Sequence, residues 1–322
     1  MPLPRDNSTA VVLLPPVRGR LGDRQLLRWL SQAQLERVRA PLDSLGQVLG
    51  VLGKQRPADG LAAIRMWGQT GDRPGVWVAA ADPVYMEPQL DRLFLHALGP
   101  EDVRRSEMRR LFDALQETLG GDDELGFARL GSCGYIRSRQ PLVTAAVSAI
   151  ELDRQNPEES LPPADTAAKT LNLISEIEMT LHEQPVNAER QVRGQPPVNS
   201  LWIWGGGYAP EQSSEPVPPL YADEPLLRGF WHLVSGTVLD WPGTIDACLD
   251  AADGGFVAAV PADYRDNAAL YADLYALRDA LRSGRLRRVV LVSSDGIRAM
   301  LRPSHRLRVW RRMSPLLGVP SA

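Results

Sequence analysis

Cysteine, lysine and histidine are all scarce in this chain, and each scarcity closes off a class of function. Of 322 residues only Cys133 and Cys248 are cysteines. They lie far apart and lack metal-type spacing, which excludes a disulfide or zinc framework and leaves reduced, packed thiols. Neither carries a nucleophile motif: Ser132 beside Cys133, and Asp246 and Asp250 around Cys248, belong to no G-x-S-x-G elbow and no paired CxxC. The four histidines, His96, His182, His232 and His305, form no H-E-x-x-H. Glu178 and His182 have the i, i+4 spacing that permits metal ligation, but no third ligand is near. The same spacing suits a histidine set against the last carbonyls of a helix. No apolar run approaches the ~18 to 20 residues of a membrane span. The run Ala10 to Leu14 is closed by Pro15 and Pro16 and lacks a charged leader, so it does not read as a secretory signal. The expectation is a cytoplasmic protein without membrane association.

Lysine is represented by Lys54 and Lys169 alone, so the cations are nearly all arginine. The net charge of -3 hides an asymmetry, because from Arg278 to Arg312 the arginines face only two acids, Asp279 and Asp295. Arginine suits bidentate contacts to phosphate or carboxylate, while a GC-rich coding bias explains an arginine excess spread over the whole chain. With eight tryptophans, a basic carboxyl-terminal region also raises the possibility of nucleic acid as a partner through base stacking. Trp29, Trp67, Trp202 and Trp204 sit among apolar neighbours, however, and read as core.

Hydrophobic patterning gives an α/β chain with a mixed central sheet and flanking helices. Ala10 to Leu14 reads as a buried strand, and Asp23 as the cap of a helix running to Val38. Gly50 to Gly60 reads as loop. Val76 to Ala80 and Leu90 to Leu95 are strands on either side of Asp82-Pro83, Glu101 to Leu119 is a helix, and Phe127 to Arg137 is a hairpin. A helix capped by Asp165 presents Leu171, Ile174, Ile177 and Leu181 on one face and ends at Pro185. Ser200 to Trp204 has apolar residues on both faces and belongs inside a sheet. Leu226 to Val234 and Asn267 to Arg282 read as helices, and Phe256 to Val260 as a strand. Val289 to Val292 and Ile297 to Leu301 flank an Asp295-Gly296 hairpin turn, and Leu307 to Trp310 reads as one more strand.

The segment Leu181 to Gly207, LHEQPVNAERQVRGQPPVNSLWIWGGG, carries the polar residues of greatest interest. A loop presenting Asn187, Arg190 and Arg193, together with Asn199, has the amide and guanidinium groups to hold a small anionic ligand. The same groups suit a second role, satisfying loop backbone and clamping a helix end. Gly205, Gly206 and Gly207 follow the strand directly. They fit either a turn or a close backbone approach to a ligand, since the spaced glycines and following helix of a nucleotide site are missing. If an anion binds here, both segments contact it, and substituting Arg190 or Arg193 leaves the fold intact.

That segment resembles RpfE-type regulatory proteins and, more distantly, archaeal-type cofactor-independent phosphoglycerate mutases. The resemblance implies a degenerate alkaline-phosphatase-like core built from residues 1–70 and 196–322, with a small α+β insert-like domain at 71–195. It also implies which catalytic parts are missing. The mutases follow their first strand with Asp-Gly, where this chain has Pro15-Pro16; the insert's P-P-H-D is Pro162-Pro163-Ala164-Asp165; and no G-D-H-type run surrounds His232 or His305. A two-metal reaction does not survive the loss of several ligands. The implied protein has no catalytic residues, no metal and no cofactor, and serves bacterial regulation by sensing a small anionic ligand or binding an unknown regulatory partner. Metal-dependent phosphoryl transfer, as mutase or phosphatase, is the alternative.

Overall fold

The run Thr9–Leu14 is apolar after its first residue and buried throughout, and it forms strand β1. A strand covered on both faces belongs at the centre of a parallel sheet. In the computed structural model residues 8–17, 21–38, 43–90, 92–121, 124–261 and 267–317 are described, so the leading segment 1–7 falls outside them. Asp23 caps α1 (Arg24–Ser31) by accepting from the Gln25 and Leu26 amides. Then come β2 (Gln34–Arg37) and α2 (Ser44–Leu52). The middle of the chain supplies α3 (Leu61–Thr70), β3 (Val78–Gln89), β4 (Arg92–Ala97), α4 (Arg105–Leu119), β5 (Leu125–Leu130) and β6 (Cys133–Ser138). It ends with α5 (Ala164–His182), α6 (Pro185–Val192) and β7 (Ser200–Gly207). The last part holds β8 (Leu220–Tyr221), α7 (Pro225–Leu233), β9 (Val238–Leu239), α8 (Ile245–Ala251), β10 (Phe256–Ala259), α9 (Asn267–Ser283), β11 (Arg288–Ser293) and β12 (Ile297–Leu301).

These elements form two compact units, Met1–Arg56 with Gln212–Ala322, and Pro57–Glu211. In the first, a mixed seven-stranded sheet has the order β2-β12-β11-β1-β10-β8-β9. The strands from β11 to β9 run parallel, and β12 and β2 close one edge antiparallel. Ala10, Val12 and Leu14 pack with Leu26 and Leu30 of α1, Ile245 of α8 and Leu270, Leu274 and Leu277 of α9. Helix α2 lies against β1 and β11 and also meets α7.

The second unit is a five-stranded antiparallel sheet. At Ala80 the partners of β3 are Tyr135 and Trp204, and at Val84 they are Ala97 and Ser200. Strand β7 therefore lines one edge of β3, while β6 and β4 share the other. Pro83 falls in the gap between those two partners, where a missing backbone donor disturbs the ladder least. This is why β3 runs straight through Asp82-Pro83 instead of breaking there. Leu201 and Ile203 pack with Leu173, Ile177 and Leu181 of α5, and α3 covers the other face of β7. Both faces of β7 are apolar because helices cover both, although the strand is at an edge rather than inside the sheet as expected.

Several boundaries differ from the sequence reading. Helix α1 stops at Ser31 because Gln34–Arg37 pairs with Ile297–Met300, and sheet addition takes a backbone whose side chains alone were compatible with helix. Ser44–Leu52 is helical, with Asp43 as cap and Gly53 in the left-handed conformation at its end, so only 53–60 is loop. Asp165 lies in the first turn of α5, after the cap residue Pro163. Residues Leu307 to Trp310 form no strand. The segment follows a short 3-10 turn, Pro303–Leu307, and Arg308 and Arg311 donate to the Gln32 and Ala33 carbonyls. Finally, α3 and β7 fold with β3, so they belong with the middle unit rather than with the flanking core.

Candidate functional site

The Leu181–Gly207 segment opens with a helix where a loop was expected. Pro185 starts α6 at its first position, where the absent N–H is no loss, instead of only ending α5. Asn187 is buried, and its amide donates to the Leu181 and Val198 carbonyls while its oxygen accepts from the Val198 amide. Arg190 is fully buried. It donates to the Pro196 and Asp102 carbonyls at 2.9 Å each and to Glu107 at 2.8 Å. Arg193 reaches the other oxygen of Glu107. Glu107 is itself buried at the start of α4 and also accepts from the Arg104 amide. The guanidinium groups are therefore spent on riveting α6 to the start of α4, and Arg190 is a core residue, which overturns its expected role as a dispensable loop cation. Asn199 is likewise engaged, bridging the Met86 amide and carbonyl.

The glycine run lies at the far end of β7. At about 3.3 Å per strand residue the two ends are roughly 20 Å apart, so Asn187, Arg190, Arg193 and Asn199 do not converge with Gly205, Gly206 and Gly207. Protein fills the space that each missing side chain leaves. A Cβ at Gly205, whose φ is +62°, would come within 3.0 Å of Leu61; one at Gly206 would meet the Trp77 ring at 2.6 Å; one at Gly207 would meet the Gly60 amide at 2.6 Å. Gly205 and Gly207 let β7 pass the start of α3, and Gly206 lets it pass Trp77 and Thr144.

Ligands of open α/β sheets sit outside the carboxyl ends of the parallel strands. In the first unit that edge carries Asp223 and Glu224 after β8, Pro15 and Pro16 after β1, and Ser293 to Asp295 after β11. Among the described carboxylates there, Asp223 holds the amide of Trp241, Glu224 those of Leu226 and Leu227, and Asp295 that of Val17, while Asp240, after β9, pairs with Arg228. Ser293 donates to Asp295. Among the described residues no three His, Cys, Asp or Glu side chains gather as a metal-holding group. Among the described residues of this edge, the donor set does not fit a two-metal centre. A cavity of about 810 Å³ opens at the opposite edge, lined by Thr9, Lys54, Pro218, Tyr221 and Asp253 among others. Its cation, Lys54, is already paired with Glu215.

The remaining candidates are dispersed. Burial, then Asp273, pushes the Cys248 thiol up to about 12, so it is protonated and unreactive at neutral pH. Asp250 is paired with Arg285. Among the histidines, His96 bonds Glu87 at 2.7 Å and stacks on Tyr85, and His182 is exposed in the last turn of α5. His232 is held below its ordinary range by burial and then Arg228. His305 is buried and is pushed down by burial, then by Arg308, Arg302 and Arg311.

A histidine with a depressed folded-state value binds fewer protons folded than unfolded, so stability rises with pH across its titration. The contribution of His232 and His305 is present above the unfolded value of about 6.5 and is lost as pH falls toward the folded values. The urea midpoint is expected to drop between pH 7.5 and pH 5.5, and less so in His232→Gln; identical drops in both proteins would remove His232 from the account.

Sequence patterning gave no sign of the polar centre of the second unit. Arg65 of α3 bonds Asp82 at 2.7 Å, the Gly134 carbonyl and the Tyr135 hydroxyl, and its guanidinium lies over the Tyr135 and Trp204 rings. Burial works against the Arg65 charge, but Asp82, then Tyr135 and Cys133, more than offset it. Trp204 also donates to Asp82, at 2.6 Å. The tryptophans read as core, Trp29, Trp67, Trp202 and Trp204, are all buried, whereas Trp310 is 74% exposed.

No protein-family model matches the chain. Part of the chain is similar in sequence to 2,3-bisphosphoglycerate-independent phosphoglycerate mutases. It is 25% identical over 156 residues to a probable 2,3-bisphosphoglycerate-independent phosphoglycerate mutase of Geobacter sulfurreducens, covering 44% of this chain and 37% of that protein. With the 2,3-bisphosphoglycerate-independent mutase of Thermoplasma volcanium it shares 30% over 110 residues, 32% of this chain and 27% of the other. Against both curated relatives the chain thus matches well under half of their length. Among solved structures, a cofactor-independent phosphoglycerate mutase from Thermoplasma acidophilum aligns with a TM-score of 0.42 and 16% identity over 91% of this chain and 89% of the other. The PH0037 protein from Pyrococcus horikoshii aligns at 0.46 and 15% over 92% and 87%. Among the described residues, no helix is long and apolar enough to cross a membrane.

Proposed function

We propose that this chain is a non-catalytic relative of the cofactor-independent phosphoglycerate mutases, a cytoplasmic protein of regulatory, RpfE-type role that acts by binding an anionic ligand or a protein partner. The observation that carries the reading is the state of the sheet's carboxyl edge. Asp223, Glu224 and Asp295 are each held by a backbone amide, and β1 runs into Pro15-Pro16. A phosphoryl-transfer centre needs carboxylates and imidazoles converging on two cations about 3.5–4 Å apart. Here the acids instead fix the loops that leave the strands, and His232 and His305 are not gathered with them into a ligand group. Freeing Asp223, Glu224 and Asp295 for metal would undo a helix cap and two loop anchors.

The expected result is that protein freed of contaminating mutase neither retains stoichiometric manganese or zinc after dialysis nor interconverts 2- and 3-phosphoglycerate with added manganese. Metal content by mass spectrometry and a coupled turnover assay test this. Turnover that copurifies with the chain and disappears in Asp295→Asn would establish the phosphoryl-transfer alternative and end the non-catalytic reading.

A further inference from the structure

The carboxyl-terminal arginines are not spread evenly over the surface of the first unit. Arg278 and Arg282, one turn apart on α9, and Arg302 and Arg306, from the turn after β12, line one small pocket with His305 and the side of Trp29. Arg278 and Arg282 share one acid, Asp279, at 3.2 and 4.0 Å; its side chain is 63% exposed, so solvent weakens that pairing. Arg302 and Arg306 make no ion pair among the described residues. Two further arginines of the segment, Arg308 and Arg311, are tied to carbonyls at the end of α1.

His305 supplies the second, independent observation. It is 6% exposed, and its Nδ1 has no hydrogen-bond partner. A buried nitrogen left unmatched among guanidinium groups is an unusual loss, because such groups normally find a partner. The pocket holds about 40 Å³. At roughly 10–15 Å³ per water-sized site, it takes the equivalent of about three waters, which is room for a tetrahedral oxyanion and too little for a nucleoside.

We propose that this pocket is a binding site for a phosphate group, either as the free ion or as the head of a small phosphomonoester. Guanidinium forks match the oxygens of a dianion in geometry and charge, and Trp29 closes the apolar side. The anion offsets the field of Arg308, Arg302 and Arg311, which with burial holds the imidazole below its ordinary range, so the His305 ring titrates higher in the complex. This inference deepens the anion-binding form of the proposed function and rests on it. Its test is separate, because mutase turnover would refute the non-catalytic reading while leaving the pocket to be judged by binding.

The experiment titrates the full chain with inorganic phosphate and with glycerol 3-phosphate, by calorimetry and by the NMR signals of the His305 ring. Saturable binding is expected, with the His305 titration midpoint moving upward on saturation. Arg302→Gln with Arg306→Gln is expected to weaken binding at least tenfold, while Arg193→Gln, in the other unit, leaves it unchanged. Tighter binding of glycerol 3-phosphate identifies the monoester as ligand, and equal or weaker binding identifies the free ion. Because Arg302 and Arg306 make no ion pair, the double variant should keep the parent's thermal midpoint. If it does not fold, His305→Asn and the ring titration of the unaltered chain decide instead. No saturation by about 10 mM, a range that covers even weak millimolar sites, would overturn the proposal. So would undiminished binding by the variants, or binding of a short single-stranded oligonucleotide that phosphate fails to displace, which would mark a nucleic-acid surface around Trp310.

Discussion

Arg190→Met should destabilise the second unit by about 3–5 kcal/mol, the usual result of breaking a buried ion pair from one side. The methionine keeps much of the volume, so the loss is electrostatic. Glu107, buried at the start of α4, would keep only Arg193 and the Arg104 amide, and the Asp102 and Pro196 carbonyls would lose their donor. Arg193→Ala should cost about 1 kcal/mol or less, since that side chain is 32% exposed and surface pairs are worth little. Urea unfolding followed by tryptophan fluorescence distinguishes them, because Trp202 and Trp204 belong to the same unit. If the two substitutions have equal small effects, the network is not what holds α6 to α4. The double variant Arg190→Met with Glu107→Leu should recover much of the loss, because it removes both buried charges together.

The second large effect is expected at Trp204. Replacing it by alanine should cost about 3–5 kcal/mol, since it empties a fully buried position between β7 and α3. The same change deprives Asp82 of one donor and Arg65 of one ring face. Trp204→Phe separates the two contributions by restoring most of the packing but not the hydrogen bond, and it should cost about 1–2 kcal/mol. Trp202→Ala belongs in the same range as Trp204→Ala, because Trp202 is buried and donates to the Val147 carbonyl at 2.9 Å. An unchanged thermal midpoint in both alanine variants would mean that neither ring is in the core.

Much of the candidate site was legible only as composition. The basic stretch from Arg278 to Arg312 is visible in the sequence, yet nothing in its spacing distinguishes Arg302 and Arg306, which line the pocket, from Arg308 and Arg311, which bind carbonyls of α1. That choice depends on where the turn after β12 meets α9. The reverse holds for Arg190. Its neighbours Asn187 and Arg193 suggest a solvent-facing loop, but Pro185 starts a second helix that turns Arg190 inward onto Glu107, a residue remote in sequence. The glycines after β7 were equally ambiguous, because close approach to a ligand and close approach to α3 ask for the same residue.

By itself the sequence determined the α/β class, the buried β1, the hairpin of β11 and β12, helix α9 and the burial of Trp202 and Trp204. Local periodicity, turn chemistry and the apolar content of short windows suffice for those features. Only the tertiary structure decided that Gln34–Arg37 is a sheet edge, that β7 is an edge strand covered by two helices, and which arginines are spent on the core. Strand pairing and ion pairing join residues far apart along the chain, and the energy of a buried charge depends on the partner it meets there rather than on its neighbours in sequence.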